Sequence, residues 1–450
     1  MKYFGTDGIR GKFGEFPISG EFFENLAHSI EKFFLEKYSK RTLTVCIGMD
    51  TRASGIQLFQ SLLCGFSKAT KVLDCGILPT PAVAEATIFT KSDAGMVITA
   101  SHNPSSDNGV KIFTTAGEKL TVEWENELEE IVENARSGAE RECEVVDIHE
   151  MAEKHYCAKF TNSGISLDGT IVLDSANGAT SRVAKRIFGE LAKNVIQIGD
   201  APNGHNINDG YGSEHPETLA ATIKKVGAFV GIASDGDGDR VVILDENGEK
   251  IDGDVLIGTI AAHMVECGEL ANGKIVATIQ SNRGLDRYLK TIGVSVIRCA
   301  IGDRNVYQEM LKNDCYFGGE SSGHLIFRKF SPIGDSITAA IYLLTMAARK
   351  NIKLSKLKTN IALLPQKSFN IAVSDKVPIS EIKGLGDDVE RERQTLGPGG
   401  RIIARYSGTE PKLRVTVESD DVEEVDHAWE RLQKSILTRF GENDISATIS

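Results

Sequence analysis

Apolar positions recur along this chain with two periods. Residues 21–38 carry Phe22, Leu26, Ile30, Phe33 and Phe34 at helical spacing, which predicts a helix with one buried face. Residues 42–48 form a short apolar run, which predicts a strand. The alternation repeats through helix 54–69, strand 71–75, a loop marked by Pro79 and Pro81, helix 82–89 and strand 95–98. Asp107, Asn108 and Gly109 read as a turn before a return strand, 110–113. A charged helix over 122–135 closes this unit, and the polar stretch 143–155 reads as a boundary. Beyond it come strand 170–173, helix 180–191, strand 194–198, a polar loop over 203–217, a helix from Pro216, and strands 229–233 and 241–244. A third round reads as helix 254–267, strand 274–279, helix 284–291, strand 294–298, a helix opened by Asp303 and Arg304, and a helix capped by Asp335 that runs to Arg349. Residues 365–368 read as a linker. The last stretch differs, with strands 369–373 and 401–404 around a glycine-rich segment, 384–400, and a closing helix over 421–437. Strand–helix alternation of this kind predicts α/β units whose sheets are buried on both faces.

Three of the apolar strands run directly into polar loops. Strand 95–98 enters TASHNP, residues 99–104, where Pro104 keeps Asn103 out of helical geometry. Ser101 stands there between His102 and Lys111, a setting that suits a hydroxyl accepting and donating a phosphoryl group. Strand 229–233 enters SDGDGDR, in which Asp235, Asp237 and Asp239 alternate with glycines. The glycines let the loop curl until the carboxylates converge. Three converging carboxylates repel unless a cation sits among them, and hard oxygen ligands suit Mg²⁺. An EF-hand fails, because Arg240 stands where that loop needs glycine and a strand follows at 241–244. In GGESSGHLIF, residues 318–327, an extended segment would place Glu320, Ser322 and His324 on one face, a set able to read a polyhydroxylated ligand. In RYSGTEPKLRV, residues 405–415, Arg405, Ser407, Gly408, Thr409 and Arg414 are the makings of a phosphate clamp. At the N-terminus, FGTDGIRG brackets Arg10 with glycines. Sites in open α/β sheets lie beyond the carboxyl ends of strands, so one cleft ringed by these loops is the economical arrangement.

Composition narrows the ligand. The 450 residues carry a net charge of −12 with no basic run, which argues against nucleic acid and membrane surfaces as partners. The eight cysteines are scattered without a CxxC pair, which favours a reducing cytoplasm over a disulfide framework. The sequence holds no signal-peptide core and no run long enough to span a bilayer. Neither a P-loop nor a dinucleotide fingerprint occurs.

TASHNP, DGDGDR, GESSGH and RYSGTEPKLR, in this order, resemble the four signatures of the α-D-phosphohexomutases, and the likeness covers essentially the whole chain. FGTDGIRG, NGHNIND, GSEHPE and HLIF are similar to the branch that acts on glucosamine phosphates. Ser321 matches neither the Met of the glucose/mannose branch nor the Gln or Asn of the glucosamine branch, so those sugars stay open, as does a non-catalytic sugar-phosphate binder. The resemblance implies three related α/β domains with mixed sheets plus a smaller α+β C-terminal domain around a central cleft. The expected spans are 1–152, 153–252, 253–366 and 367–450. It implies an isomerase that moves a phosphoryl group through phosphorylated Ser101, with one Mg²⁺ held by Asp235, Asp237, Asp239 and Ser101, and a hexosamine 1,6-bisphosphate primer. His102, Lys111 and Arg10 are then expected to share proton transfer and charge balance at Ser101. Arg240, Asp303, Arg304, Glu320, Ser322 and His324 are expected on the substrate, and Arg405, Ser407, Gly408, Thr409 and Arg414 on its phosphate. The expected partner is a small sugar phosphate in the cytoplasm. A homodimer is the candidate assembly, and an activating kinase or self-phosphorylation by the bisphosphate the candidate source of the first phosphate.

Overall fold

In the computed structural model, residues 2–135, 142–161, 166–359, 361–373, 377–382, 384–406 and 412–440 are described. The chain divides into two units, Met1–Ile279 with Leu289–Ile361, and Gln280–Tyr288 with Ala362–Ser450.

The first unit holds three sheets. Strands β1 (Ile9–Lys12), β2 (Leu43–Met49), β3 (Thr70–Ile77), β4 (Ala94–Ile98), β5 (Asp107–Thr114) and β6 (Glu144–Asp147) form a mixed sheet in the order β1-β5-β4-β2-β3-β6. Strand β4 is buried along its whole length, as a strand with helices on both faces must be. The amphipathic face of helix Gly20–Tyr38 supplies Phe22, Phe23, Leu26, Ile30 and Phe34 to a core shared with Val45, Ile47, Met96 and Ile98. The second sheet joins β7 (Leu167–Asp174), β8 (Ala192–Ile198), β9 (Val230–Ser234), β10 (Val241–Leu244) and β11 (Lys250–Ile251) in the order β11-β10-β9-β7-β8. The third joins β12 (Lys274–Thr278), β13 (Ser295–Cys299), β14 (Phe317–Gly319) and β15 (Leu325–Phe327) in the order β13-β12-β14-β15. One topology recurs in all three sheets. The last parallel strand, β4, β9 or β14, is followed by an antiparallel partner, and the polar loop joins the two.

The second unit is a three-stranded antiparallel sheet of β16 (Gln366–Ala372), β17 (Arg401–Tyr406) and β18 (Lys412–Glu418) in the order β16-β18-β17. Helices Leu385–Leu396 and Val422–Phe440 belong with it, and Phe369, Ile371, Leu413, Val415, Leu432 and Ile436 are in its core. Among the described residues no helix is long and apolar enough to cross a membrane.

Several local expectations are corrected. Asp107, Asn108 and Gly109 are not a turn but the start of β5, because they pair with Lys12, Gly11 and Arg10 of β1. Gly109 permits that approach, since a Cβ there would lie 2.2 Å from the Ile9 carbonyl oxygen. The polar stretch 143–155 keeps its reading as a boundary but is not structureless, since it holds edge strand β6 and the first part of a helix, His149–Thr161, whose buried face includes Ala152, Tyr156 and Phe160. The supposed linker 365–368 is largely the first half of β16. The glycine-rich segment contains a helix, with Gly384 in left-handed geometry at one cap and Gly397 at positive φ at the other. The third polar loop is a tight turn rather than an extended run. Glu320 N–H donates to the His324 carbonyl at 3.0 Å, so Glu320 and His324 are buried while Ser322 stays exposed.

Candidate functional site

The Ser101 loop leaves β4 under tight control. Ser101 itself has φ 52°, a left-handed conformation that costs a β-carbon residue roughly 1 kcal/mol or more and needs surrounding support. Its N–H donates to Thr99 Oγ1 at 2.8 Å. Its carbonyl accepts from Arg52 Nη2 at 3.0 Å and from Asn208 Nδ2 at 2.8 Å. Arg52 also reaches the carbonyls of Asn103 at 2.8 Å and Asp107 at 2.9 Å, and that of Pro104. Its Nε donates to Asp50 Oδ2 at 2.9 Å. The hydroxyl of Ser101 is thereby aimed away from its own loop, and it donates to Asp235 Oδ2 at 2.6 Å.

The aspartate loop meets the serine loop directly. A Cβ on Gly236 would fall 2.6 Å from the Ser101 carbonyl oxygen, so glycine is what lets the loops touch. Asp235 Oδ1 accepts from the Arg240 N–H at 3.1 Å. Asp237 Oδ2 accepts from Thr80 Oγ1 at 2.5 Å and Lys111 Nζ at 2.7 Å. Asp239 Oδ2 accepts from Lys111 Nζ at 2.5 Å. Asp237 Oδ1 and Asp239 Oδ1 are buried and accept no hydrogen bond among the described residues. One oxygen from each of the three carboxylates lies within 4.8 Å of the others. Buried carboxylate oxygens without donors are rare, and a convergent set of them fits a hard divalent cation. Burial, then the charges of Asp239 and Asp237, push the Asp235 carboxyl well above its usual range. Burial acts on Asp239 in the same direction, but Lys111 and His324 outweigh it and hold that carboxyl low.

A ring of alternating charges joins the third loop to the first two. Asp7 pairs with Arg10 and Lys119, and lies 3.3 Å from Lys111. Burial alone would raise the Asp7 carboxyl, yet these three cations hold it well below the carboxylate range. Lys119 also pairs with Asp303, whose Oδ2 is 3.2 Å from His324 Nε2. His324 Nδ1 stands 3.7 Å from Asp239 Oδ1. Glu320 Oε1 accepts from the Gly302 N–H at 3.0 Å, and Arg304 is buried against Glu125. Ser101, His102, Lys111, Arg10, the three aspartates, Arg240, Asp303 and His324 are thus brought into one neighbourhood. Ser322 is exposed, and Arg304 is engaged with Glu125 of helix Val122–Asn134. In the second unit, Arg405 and Arg414 are cross-strand partners on β17 and β18, and Arg405 Nη2 donates to Gln280 Oε1 at 3.0 Å. Like charges directly opposite on a sheet repel, an arrangement an anion relieves. Ser407, Gly408 and Thr409 lie outside the described residues.

His102 Nδ1 is 3.4 Å from Ser101 Oγ. Burial first, then Arg240 and Arg10, push its imidazole down to about 3. A histidine depressed in the fold binds fewer protons than it does unfolded, so it contributes stability above about pH 6.5 that is lost on acidification. Between pH 7 and 5 unphosphorylated protein should lose up to about 2 kcal/mol through this residue. Denaturant titrations of His102→Gln should show that part of the acid sensitivity gone; an unchanged pH slope would refute it.

Sequence reasoning missed Asp7, Asp50, Arg52, Thr80, Lys119 and Asn208. Asp50 and Arg52 follow β2 at its carboxyl end, the same position relative to the sheet as the polar loops, which is the signal that could have found them.

Comparison with known proteins agrees with this architecture. Four family descriptions match in chain order: "Phosphoglucomutase/phosphomannomutase, alpha/beta/alpha domain I" over residues 1–139, domain II over 148–248, domain III over 252–363 and the C-terminal domain over 369–434. The chain belongs to this family, the α-D-phosphohexomutases. Among its relatives, a phosphoglucosamine mutase of Sorangium cellulosum is 41% identical over 431 residues, 93% of this chain and 89% of the relative. A phosphoglucosamine mutase of Aeromonas salmonicida is 38% identical over 98% of this chain and 99% of the relative. The fold is shared with the crystal structure of a phosphoglucomutase/phosphomannomutase family protein from Burkholderia thailandensis, at TM-score 0.79 and 20% identity over 99% of this chain and 98% of that one. Membership implies a metal-dependent mutase, and Asp235, Asp237 and Asp239 are able to hold a metal.

Proposed function

We propose that this protein interconverts glucosamine 6-phosphate and glucosamine 1-phosphate, through phosphorylated Ser101 and a glucosamine 1,6-bisphosphate intermediate. The observation that carries the reading is the Ser101 hydroxyl 2.6 Å from Asp235, beside two donor-free buried carboxylate oxygens. The phosphoglucosamine mutases among its relatives support the choice of sugar. In this reading the 1-hydroxyl of the substrate takes the phosphoryl group from Ser101, breaking its bond to Oγ. The bisphosphate turns over, and its 6-phosphoryl group returns to Oγ. Asp235, Asp237, Asp239 and the phosphorylated Ser101 would hold Mg²⁺, which when bound neutralises charge on the migrating group. Lys111 and Arg10 offset the added charge of about −1.5 to −2 on Ser101. His102, kept neutral, is able to accept a proton beside Oγ, and Arg240 steadies the aspartate loop through its N–H to Asp235. Glu320, Ser322 and His324 read ring hydroxyls, with Asp303 orienting His324 and Arg304 holding the segment in place. Arg405, Ser407, Gly408, Thr409 and Arg414 grip the phosphate that is not reacting, and one grip serves both orientations because the ends of the bisphosphate look alike to it. The first phosphate comes from the bisphosphate or a kinase, and the product supplies UDP-N-acetylglucosamine synthesis in the cytoplasm.

Coupled assays with glucosamine, glucose and mannose 6-phosphates test this, with glucosamine expected to give the highest kcat/KM. Preference for glucose or mannose would reassign the sugar. Release of inorganic phosphate without isomerisation would mark a phosphatase. Arg414→Ala should raise KM by about tenfold or more while leaving Mg²⁺ affinity within about twofold, since a lost charge-assisted pair costs roughly 1.5–3 kcal/mol. An unchanged KM counts against the grip.

A further inference from the structure

We propose that Lys111 is a resident counter-ion of the carboxylate trio, which supplies the positive charge a divalent cation would otherwise bring and withdraws toward Asp7 when one binds. The inference rests on the reading of Asp235, Asp237 and Asp239 as a metal site. The Lys111 side chain is 1% exposed, and its ammonium bridges Asp237 Oδ2 at 2.7 Å and Asp239 Oδ2 at 2.5 Å. Buried carboxylates this close need a positive charge between them, and Lys111 supplies it within the polypeptide. Its backbone is fixed, because Lys111 pairs with Val97 in the β4–β5 ladder. Movement is therefore confined to the flexible four-carbon stem that carries its compact charge. A second seat is within reach, since Asp7 Oδ2 already stands 3.3 Å from the same ammonium. Asp7 belongs to the N-terminal segment rather than to the aspartate loop, so it can receive the lysine without surrendering an oxygen of the trio. Phosphorylation of Ser101 adds a further anion toward which the ammonium can turn. The consequence is competition: the lysine that keeps the metal-free site assembled also weakens metal binding.

Calorimetric titration of the full chain with Mg²⁺, with thermal unfolding in chelator and in excess Mg²⁺, tests this without recourse to activity. Lys111→Met should bind Mg²⁺ tighter by on the order of tenfold or more, because a full positive charge no longer opposes the ion. Its melting temperature should fall in chelator and recover with Mg²⁺, with a larger Mg²⁺-induced rise than the unchanged chain shows. Asp7→Asn removes the second seat and should weaken Mg²⁺ binding several-fold, an effect that should vanish in the double variant with Lys111→Met. Equal or weaker Mg²⁺ binding by Lys111→Met, or an unchanged affinity in Asp7→Asn, overturns the inference. If Lys111→Met folds only with Mg²⁺ present, the counter-ion role is supported. If it folds under neither condition, Lys111→Gln and Asp7→Asn decide by the same affinities. Failure of the unchanged chain to take up Mg²⁺ would instead overturn the metal reading on which the inference stands.

Discussion

Ser101→Ala is expected to lower mutase turnover by at least about 10⁴-fold while leaving the protein folded. The hydroxyl contacts two side chains, Asp235 at 2.6 Å and His102 Nδ1 at 3.4 Å, and is not part of the backbone frame that shapes its own loop. That frame consists of backbone groups held by Thr99, Arg52 and Asn208, all of which alanine leaves in place. Alanine has no oxygen to carry a phosphoryl group, and neighbouring groups do not replace it. Lys111 is engaged as a cation with two carboxylates. The stability change should stay near 1 kcal/mol, the scale of one lost hydrogen bond. Two measurements check this. A coupled assay reads turnover, and intact mass spectrometry of the purified protein reads one phosphate on the unchanged chain and none on Ser101→Ala. Turnover within tenfold of normal would remove Ser101 from the role of nucleophile.

Much of the architecture was legible because the sheets are buried on both faces and their strands are short apolar runs. Strands β4, β9 and β14 each feed a polar loop, and all three loops sit where the sequence places them. Segments whose structure depends on distant partners were harder to read. Asp107–Gly109 looks like a turn in isolation, and only the arrival of β1 as an antiparallel neighbour makes it strand. Glu320, Ser322 and His324 alternate as a strand would, but the turn hydrogen bond between Glu320 and His324 defeats that period. The helix Leu385–Leu396 hid behind the glycines that cap it. At the candidate site, residues in glycine-rich or proline-marked loops were visible because the loops advertise themselves. Lys119 was not, because a single charged residue in ordinary surroundings has no spacing to betray it, and within FGTDGIRG and NGHNIND nothing marks Asp7 or Asn208 above its neighbours. Their meaning comes from partners about a hundred positions away, such as Lys119 with Asp7 and Asn208 with the Ser101 carbonyl.

Arg52 also went unread in the sequence, and Arg52→Ala should be the most destabilising single change at the site. Its side chain is fully buried, as is that of its partner Asp50. One guanidinium holds the carbonyls of Ser101, Asn103, Pro104 and Asp107 while pairing with Asp50. Alanine removes all of these donors together. Burial already drives the Asp50 carboxyl upward, and Arg52 is the largest opposing influence. Without it, Asp50 keeps hydrogen bonds from Thr99 Oγ1 at 2.7 Å and from the residue-52 N–H at 3.0 Å, but no ion pair inside the fold. Breaking a buried ion pair from one side costs roughly 3–5 kcal/mol, and newly unpaired buried carbonyls add to that. Arg52→Lys should rescue little, because a single ammonium cannot reproduce the planar fork that spans several carbonyls. Turnover should fall with stability, since the Ser101 carbonyl would then be held by Asn208 alone and the left-handed turn would lose its main support. Denaturant unfolding measures the first effect, and kcat at a temperature where the variant stays folded measures the second. A loss below about 1 kcal/mol with kcat intact would mean that the loop holds its shape without this side chain, against the reading of Arg52 as the group that aims the Ser101 hydroxyl.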